Sequence, residues 1–207
     1  MPKESEIHPA DPLNGNDVWR FAEGTHDGLS YLLGAHVDPF GCTFRVWAPA
    51  ARSVSVIGEF NDWDGDRAPL TGSDAGIWSG RISGASAGDR YKYRIITADG
   101  AVLDKADPVG FSTEEPPATA SRIADLTYEW GDSAWMSSRG DRNAQDAPIS
   151  VYELHLGSWR YEPGGYRAIA AQLADYLDRT QFTHVELLPV MEHPFYGSWG
   201  YQTNGYF

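Results

Sequence analysis

The residues of this chain able to do chemistry are mainly aromatic. Among 207 residues stand 8 Trp, 11 Tyr and 8 Phe, 13% of the total. Rings at that density suit flat apolar faces with a polar edge, and in an acidic chain a sugar is the flat ligand such faces fit best. Trp63 follows Phe60-Asn61-Asp62 and precedes Asp64-Gly65, a turn-rich setting in which an indole stays exposed. Trp47 and Trp78 lie in strand-like runs and are expected to be packed. Groups for metal or phosphate chemistry are sparse. His155 and His193 have neither a nearby Cys nor a third ligand at metal-binding spacing, so no metal and no cofactor is expected. Glycines 157, 197, 200 and 205 are not followed by a helix start at phosphate-cradle spacing and read as loop geometry. Cys42 is the single cysteine, which fits a reducing compartment.

Charge and hydropathy patterning narrow the partners. Lys and Arg number 16 against 29 Asp and Glu, a formal net charge of −13, and such a chain repels a phosphate backbone, so no nucleic-acid partner is expected. No apolar run approaches the roughly 18 residues of a membrane span, so no membrane role is expected either. The start, Met1-Pro2-Lys3-Glu4-Ser5-Glu6, has no apolar segment after a basic one, which predicts a cytoplasmic location.

The elements that must position these rings fall into two styles. Residues 1–36 read as a polar tail and then a lead-in arm with Trp19, Phe21, Leu29, Tyr31, Leu32 and Leu33 among glycines. Residues 37–115 read as an all-β sandwich. Cys42, Phe44 and Val46 alternate with Thr43, Arg45 and Trp47; Val54 and Val56 alternate with serines; Trp78 and Ile82 bracket a third strand; Tyr91, Tyr93 and Ile95 alternate with Arg90, Lys92 and Arg94. Turn clusters separate these period-2 runs. Residues 116–148 read as a linker opening on Pro116-Pro117. From 149 the pattern becomes strand, helix, strand: residues 149–156, then Ile169, Leu173 and Leu177 at helical spacing, then 183–188 before Pro189. That is one βαβ unit with parallel strands. A (β/α)8 barrel uses about 250 residues, so 149–207 reads as the truncated first part of such a barrel.

Particular motifs carry a resemblance. Val151-Tyr152-Glu153-Leu154-His155-Leu156-Gly157-Ser158-Trp159-Arg160 resembles the first barrel strand and loop of bacterial 1,4-α-glucan (glycogen) branching enzymes. Glu186 to Phe195 is similar to their second barrel strand, and Gly197-Ser198-Trp199-Gly200-Tyr201-Gln202 to the loop after it. Phe60-Asn61-Asp62-Trp63 and Tyr91-Lys92-Tyr93 resemble their immunoglobulin-like sandwich of the glycogen-binding type. Glu23-Gly24-Thr25-His26 and Leu33-Gly34-Ala35-His36 resemble its lead-in.

The resemblance implies a retaining transglycosylase of the α-amylase superfamily, monomeric at full length, acting on α-1,4-glucan (glycogen, amylose, malto-oligosaccharides). Retention needs two carboxyl groups about 5 Å apart, and the family carries them on later strands. No catalytic residue is therefore expected here, and Glu153 and Glu192 read as structural. The resemblance makes Tyr201 a ring that stacks on sugar, with Trp199 and Gln202 shaping the same pocket. It makes Trp63 a glucan platform and Lys92 a hydroxyl donor. One departure stands out: where a second stacking tryptophan would follow Asp99-Gly100, this chain has Ala101-Val102, a loss of about 1–1.5 kcal/mol of aromatic contact. Two other readings stay open: a non-catalytic α-glucan-binding protein, and a fragment of a debranching or trehalose-releasing hydrolase.

Overall fold

A computed structural model describes residues 7–8, 10, 13–160 and 163–207. Most of the expected tail lies outside the described residues. The described chain forms two compact units: one from the N-terminus to Leu126 together with Gly205–Phe207, the other Thr127–Asn204.

The first unit begins with β1 (Ile7–His8), α1 (Gly15–Ala22) and α2 (Leu29–Leu32), followed by β2 (Gly34–Asp38), β3 (Gly41–Trp47) and β4 (Ala51–Gly58). Next come β5 (Thr71–Gly72), β6 (Ile77–Ile82), β7 (Arg90–Thr97), β8 (Val102–Lys105) and β9 (Ser121–Arg122). One sheet runs β1-β6-β3-β2 with β5 also on β6; the other runs β4-β7-β8 with β9 also on β7. Every pairing in both sheets is antiparallel. The alternation foreseen in β3 and β7 is what closes the core. Cys42, Phe44 and Val46 point inward from one sheet and Val54, Val56, Tyr91 and Tyr93 from the other, all in one buried cluster. This is a β-sandwich. Burial pushes the Cys42 thiol pKa well up, so it stays a neutral thiol.

Residues 15–38 are more regular than the glycine-rich sequence implies. Asn14 caps α1 by accepting the Asn16 amide hydrogen. Leu32 and Leu33 then bury with Ile77 and Val109, and Leu13 and Phe21 pack against them. Ile77 precedes the inward-facing Trp78 of β6, so alternation puts it on the outer face, and the arm covers it.

Buried Asp107 ties the middle of the first unit together. It accepts hydrogen bonds from the hydroxyls of Tyr91 (2.7 Å) and Tyr93 (3.2 Å) and from the Val109 amide (2.8 Å). Burial raises its pKa against those bonds.

The second unit holds α3 (Ser133–Arg142), β10 (Val151–Leu154), α4 (Leu156–Trp159), α5 (Gly165–Thr180) and β11 (His184–Leu187). Thus the stretch 116–148, read as a linker, carries both β9, which pairs with β7, and helix α3. β10 and β11 are parallel, with Tyr152 opposite Val185 and Leu154 opposite Leu187. Tyr152 meets Tyr176 of α5 and Phe182, each at 5.1 Å between ring centroids. On the other face Glu153 stands opposite Glu186, both exposed.

Candidate functional site

The expected site residues fall into two groups, one in each unit. In the sandwich, Tyr91 and Tyr93 face the core, so strand alternation sends Arg90, Lys92, Arg94 and Ile96 to the outer face of β7. Lys92 pairs with Ile57 across the sheet, and its Nζ donates to Thr119 Oγ1 at 2.8 Å.

Trp63 sits on the loop that leaves β4, and the fully buried Asn61 builds that loop. Asn61 Oδ1 accepts the Gly58 amide hydrogen at 2.9 Å. Its Nδ2 donates to the carbonyls of Val56 (2.9 Å) and Asp64 (3.1 Å). The Trp63 amide in turn donates to Gly58 O at 3.0 Å, next to the strand position that faces Lys92. Asp62 and Trp63 are both left-handed, with φ of 57° and 61°. Gly58 is required by close approach, since a Cβ there would lie 2.5 Å from Arg90 O.

Arg90 fastens the surroundings. Its guanidinium donates to Glu59 at 2.5 and 3.0 Å and to Glu114 at 3.0 Å. Glu114 Oε2 accepts the Ala120 amide hydrogen, beside the Thr119 that holds Lys92. These side-chain bonds from Arg90 keep the Glu59 and Glu114 carboxyls below the usual range. Arg94 does the same for Asp104 through two 2.9 Å bonds. Asn61, Glu59, Arg90 and Glu114 were not singled out from sequence; only the run Phe60-Asn61-Asp62-Trp63 pointed near them.

The ring exposures differ from expectation. Trp63 is half-buried, whereas Trp47 is 52% exposed and meets Phe21 edge-on at 5.8 Å. Trp47 closes β3 on its outward side, where alternation leaves it beside the arm. Trp78 is partly buried, and its Nε1 donates to Ala48 O at 2.9 Å. At the position of the missing second tryptophan, Val102 lies across from Ile96 and is exposed.

In the second unit, Trp199, Tyr201 and Gln202 lie on the long segment after β11. Trp199 is left-handed (φ 55°) and its indole packs on the His155 ring at 4.9 Å. His155 directly follows β10, so this contact joins the segments leaving the carboxyl ends of both parallel strands. Gly200 has φ 83°, and a Cβ on it would lie 2.6 Å from Pro189 O. Tyr201 is 70% exposed and anchored through its amide to Ser198 O at 3.1 Å. Gln202 is exposed beside it. His155 Nδ1 lies 3.1 Å from Ser158 Oγ, and His193 Nδ1 donates to Met191 O at 2.9 Å. Among the described residues, no group of three His, Cys, Asp or Glu could hold a metal ion, and no helix is long and apolar enough to cross a membrane.

Comparison with known proteins bears on both units. Residues 32–110 match the family profile of carbohydrate-binding module 48, the isoamylase N-terminal domain. The chain is 54% identical over 199 residues to the 1,4-alpha-glucan branching enzyme GlgB of Albidiferax ferrireducens, aligning 93% of itself with 32% of that enzyme. It is 51% identical over 202 residues to the GlgB of Rhodococcus jostii, with 92% and 27% aligned. The chain thus spans about a third of the length of the curated relatives it matches, and it corresponds to their N-terminal region. Its fold is similar to a proposed alpha amylase from Salmonella typhimurium (TM-score 0.62, 25% identity, 83% of this chain and 27% of that one). It is also similar to the catalytic module of the pneumococcal glycogen-degrading factor SpuA (TM-score 0.60, 19% identity, 91% and 33%).

Proposed function

We propose that this chain is the N-terminal portion of a cytoplasmic, monomeric 1,4-α-glucan branching enzyme. In this reading the whole enzyme forms α-1,6 branches by retaining transglycosylation, and the sandwich holds the α-1,4-glucan. One observation carries the sandwich's part. A fully satisfied buried asparagine fixes Trp63 in a turn whose amide bonds to the strand pair bearing Lys92. A half-buried indole offers an apolar face to a glucose ring, and the Lys92 ammonium, held on Thr119, has further hydrogens to donate to sugar hydroxyls. The ion pairs of Arg90 and Arg94 hold the neighbouring charges among themselves, which leaves a face suited to a neutral ligand.

Residues 149–207 are read as the opening βαβ part of the catalytic barrel. Chemistry in such barrels sits at the carboxyl ends of the strands. Tyr201, exposed on the segment after β11, is proposed to stack on sugar at the cleaved bond, with Trp199 and Gln202 framing it. No catalytic carboxylate is assigned among these 207 residues. The purified chain is expected to leave amylose unbranched, measured by iodine absorbance and by α-1,6 signals in NMR.

Calorimetric titration with maltoheptaose tests the sandwich reading. Trp63→Ala should raise the dissociation constant about tenfold, or ~1–2 kcal/mol, while moving the urea midpoint little. A drop of about 3–5 kcal/mol in stability with unchanged binding would make Trp63 a packing residue instead. Undetectable wild-type binding at millimolar sugar would reject the platform.

A further inference from the structure

The lead-in arm carries a cleft of about 430 Å³ that the sandwich face does not use. Asp17 and Arg20 of α1, His26 and Asp27 of the following turn, and Tyr31 of α2 line it, over buried Leu32. All but Leu32 precede the stretch that matches the carbohydrate-binding module.

His26 is the unusual member. Its side chain is only 8% exposed. Nδ1 accepts the Gly28 amide hydrogen at 3.1 Å, so in the neutral ring the proton sits on Nε2. That Nε2 is enclosed and has no hydrogen-bond partner. Asp17 Oδ1 stands 3.5 Å away, too far for a good bond, on a side chain 36% exposed. Buried donors left unmet are the exception in folded proteins. With Asp17 turned aside to open Nε2, an entering hydroxyl would meet both needs, accepting from Nε2 and donating to the carboxylate.

The rest of the cleft selects the kind of hydroxyl. Tyr31 is 86% exposed and presents a flat apolar wall. Gly28 lets that wall approach the imidazole, since a Cβ there would lie 3.0 Å from Tyr31 Cδ2 and 3.6 Å from His26 Cε1. Arg20 is occupied by Asp27 at 2.6 Å. Two carboxylates disfavour an anion, and the guanidinium paired with Asp27 disfavours a cation. A neutral polyol with an apolar ring face fits this mixture.

We propose that the arm cleft is a second α-glucan contact. Tyr31 is its stacking wall, and His26, Asp17 and Asp27 are its hydroxyl partners. The choice of glucan among neutral saccharides rests on the branching-enzyme reading above.

The test is NMR titration of the full 207-residue chain with maltoheptaose, following the His26 Hε1, the Gly28 amide and the Trp63 indole separately. Saturable shifts are expected at both places. Tyr31→Ala, a change at an exposed ring, should weaken the response at His26 and Gly28 about tenfold and leave that at Trp63 intact, while Trp63→Ala should do the reverse. Tyr31→Phe should keep the arm response. If His26 and Gly28 stay still, or move without saturating, while Trp63 titrates, the arm proposal falls and the sandwich reading stands. If the arm responds and Trp63 does not, the sandwich platform falls and the arm site stands. Silence at both overturns both.

Discussion

The two units solve the same problem, hiding a sheet, with different completeness. The sandwich places one sheet against another, so inward residues of β3, β4, β6 and β7 share one dry cluster. Its second face is partly dressed as well, with the arm over Ile77 and ion pairs over β7. The βαβ unit has two parallel strands and packs α5 against one face, and among its described residues only Leu154 and Ile169 are buried hydrophobics. Parallel strands are normally covered on both faces. Antiparallel strands close on local partners, whereas a parallel pair depends on further layers.

Amide hydrogen exchange should separate the units most widely. Amides in β3, β6 and β7 are expected to open only with the whole sandwich, and those in β10 and β11 by local events roughly 3 kcal/mol or more easier. Equal protection in both, at low protein concentration, would break the contrast.

The next largest effect concerns how the sandwich holds its loop. Asn61→Ala strips partners from the Gly58 amide and from two carbonyls, and should destabilise the first unit by about 2–3 kcal/mol. Sugar affinity at Trp63 should fall with it, and the exchange of β10 and β11 should not change. A urea melt beside a maltoheptaose titration measures both.

A smaller effect separates the faces by pH. Glu59 and Glu114 have folded pKa values below their unfolded ones, because Arg90 hydrogen-bonds their charged forms. Their contribution is full above the unfolded value, near 4.3, and is lost as pH falls through the lower folded values. Arg90→Gln should flatten the stability profile of the sandwich between about pH 5 and 3. The change should be modest, since the pair with Glu59 is partly exposed and screened. An unchanged slope would show these ion pairs to be idle.

The smallest expected effect has the opposite sign. Glu153 and Glu186 face each other on neighbouring strands, and like charges directly opposite are unfavourable. Glu153→Gln should therefore stabilise the second unit by about 0.2–1 kcal/mol, read from exchange rates in β10. Destabilisation would mean that Glu153 has a favourable partner.

Legibility from sequence followed the range of the forces involved. The alternation of Cys42, Phe44 and Val46 and of Tyr91 and Tyr93 is a local signature of a half-buried strand, and those strands were readable. So was α5, whose Ile169, Leu173 and Leu177 repeat along one face. Two-residue strands β5 and β9 have no period to read and exist because a neighbouring edge pairs with them. Helix α3 was hidden because its polar composition buries no residue and so leaves no apolar stripe to read. At the candidate site, Trp63 and Lys92 were visible as residue types, but the Arg90 bridge to Glu114 joins positions far apart in the chain, and the Asn61 clamp, though its partners are only three to five residues away, buries a residue type that sequence reads as a surface turn former. The exposure of Trp47 depends on what stands outside β3, which alternation alone does not encode.

The backbone at Asp62 and Trp63 has a consequence for variation at those two codons. Consecutive left-handed residues that are not glycine, at φ 57° and 61°, each sit about 1–2 kcal/mol above a relaxed conformation. A library randomised at both positions and sorted only for correct folding would drift toward glycine and asparagine. On the platform role proposed for Trp63, the same library sorted on immobilised maltoheptaose would retain the indole at 63 and let only position 62 drift. The two sieves pull apart at one residue, so the gap between their enriched sequences measures how far this turn is kept for its ligand and not for its fold.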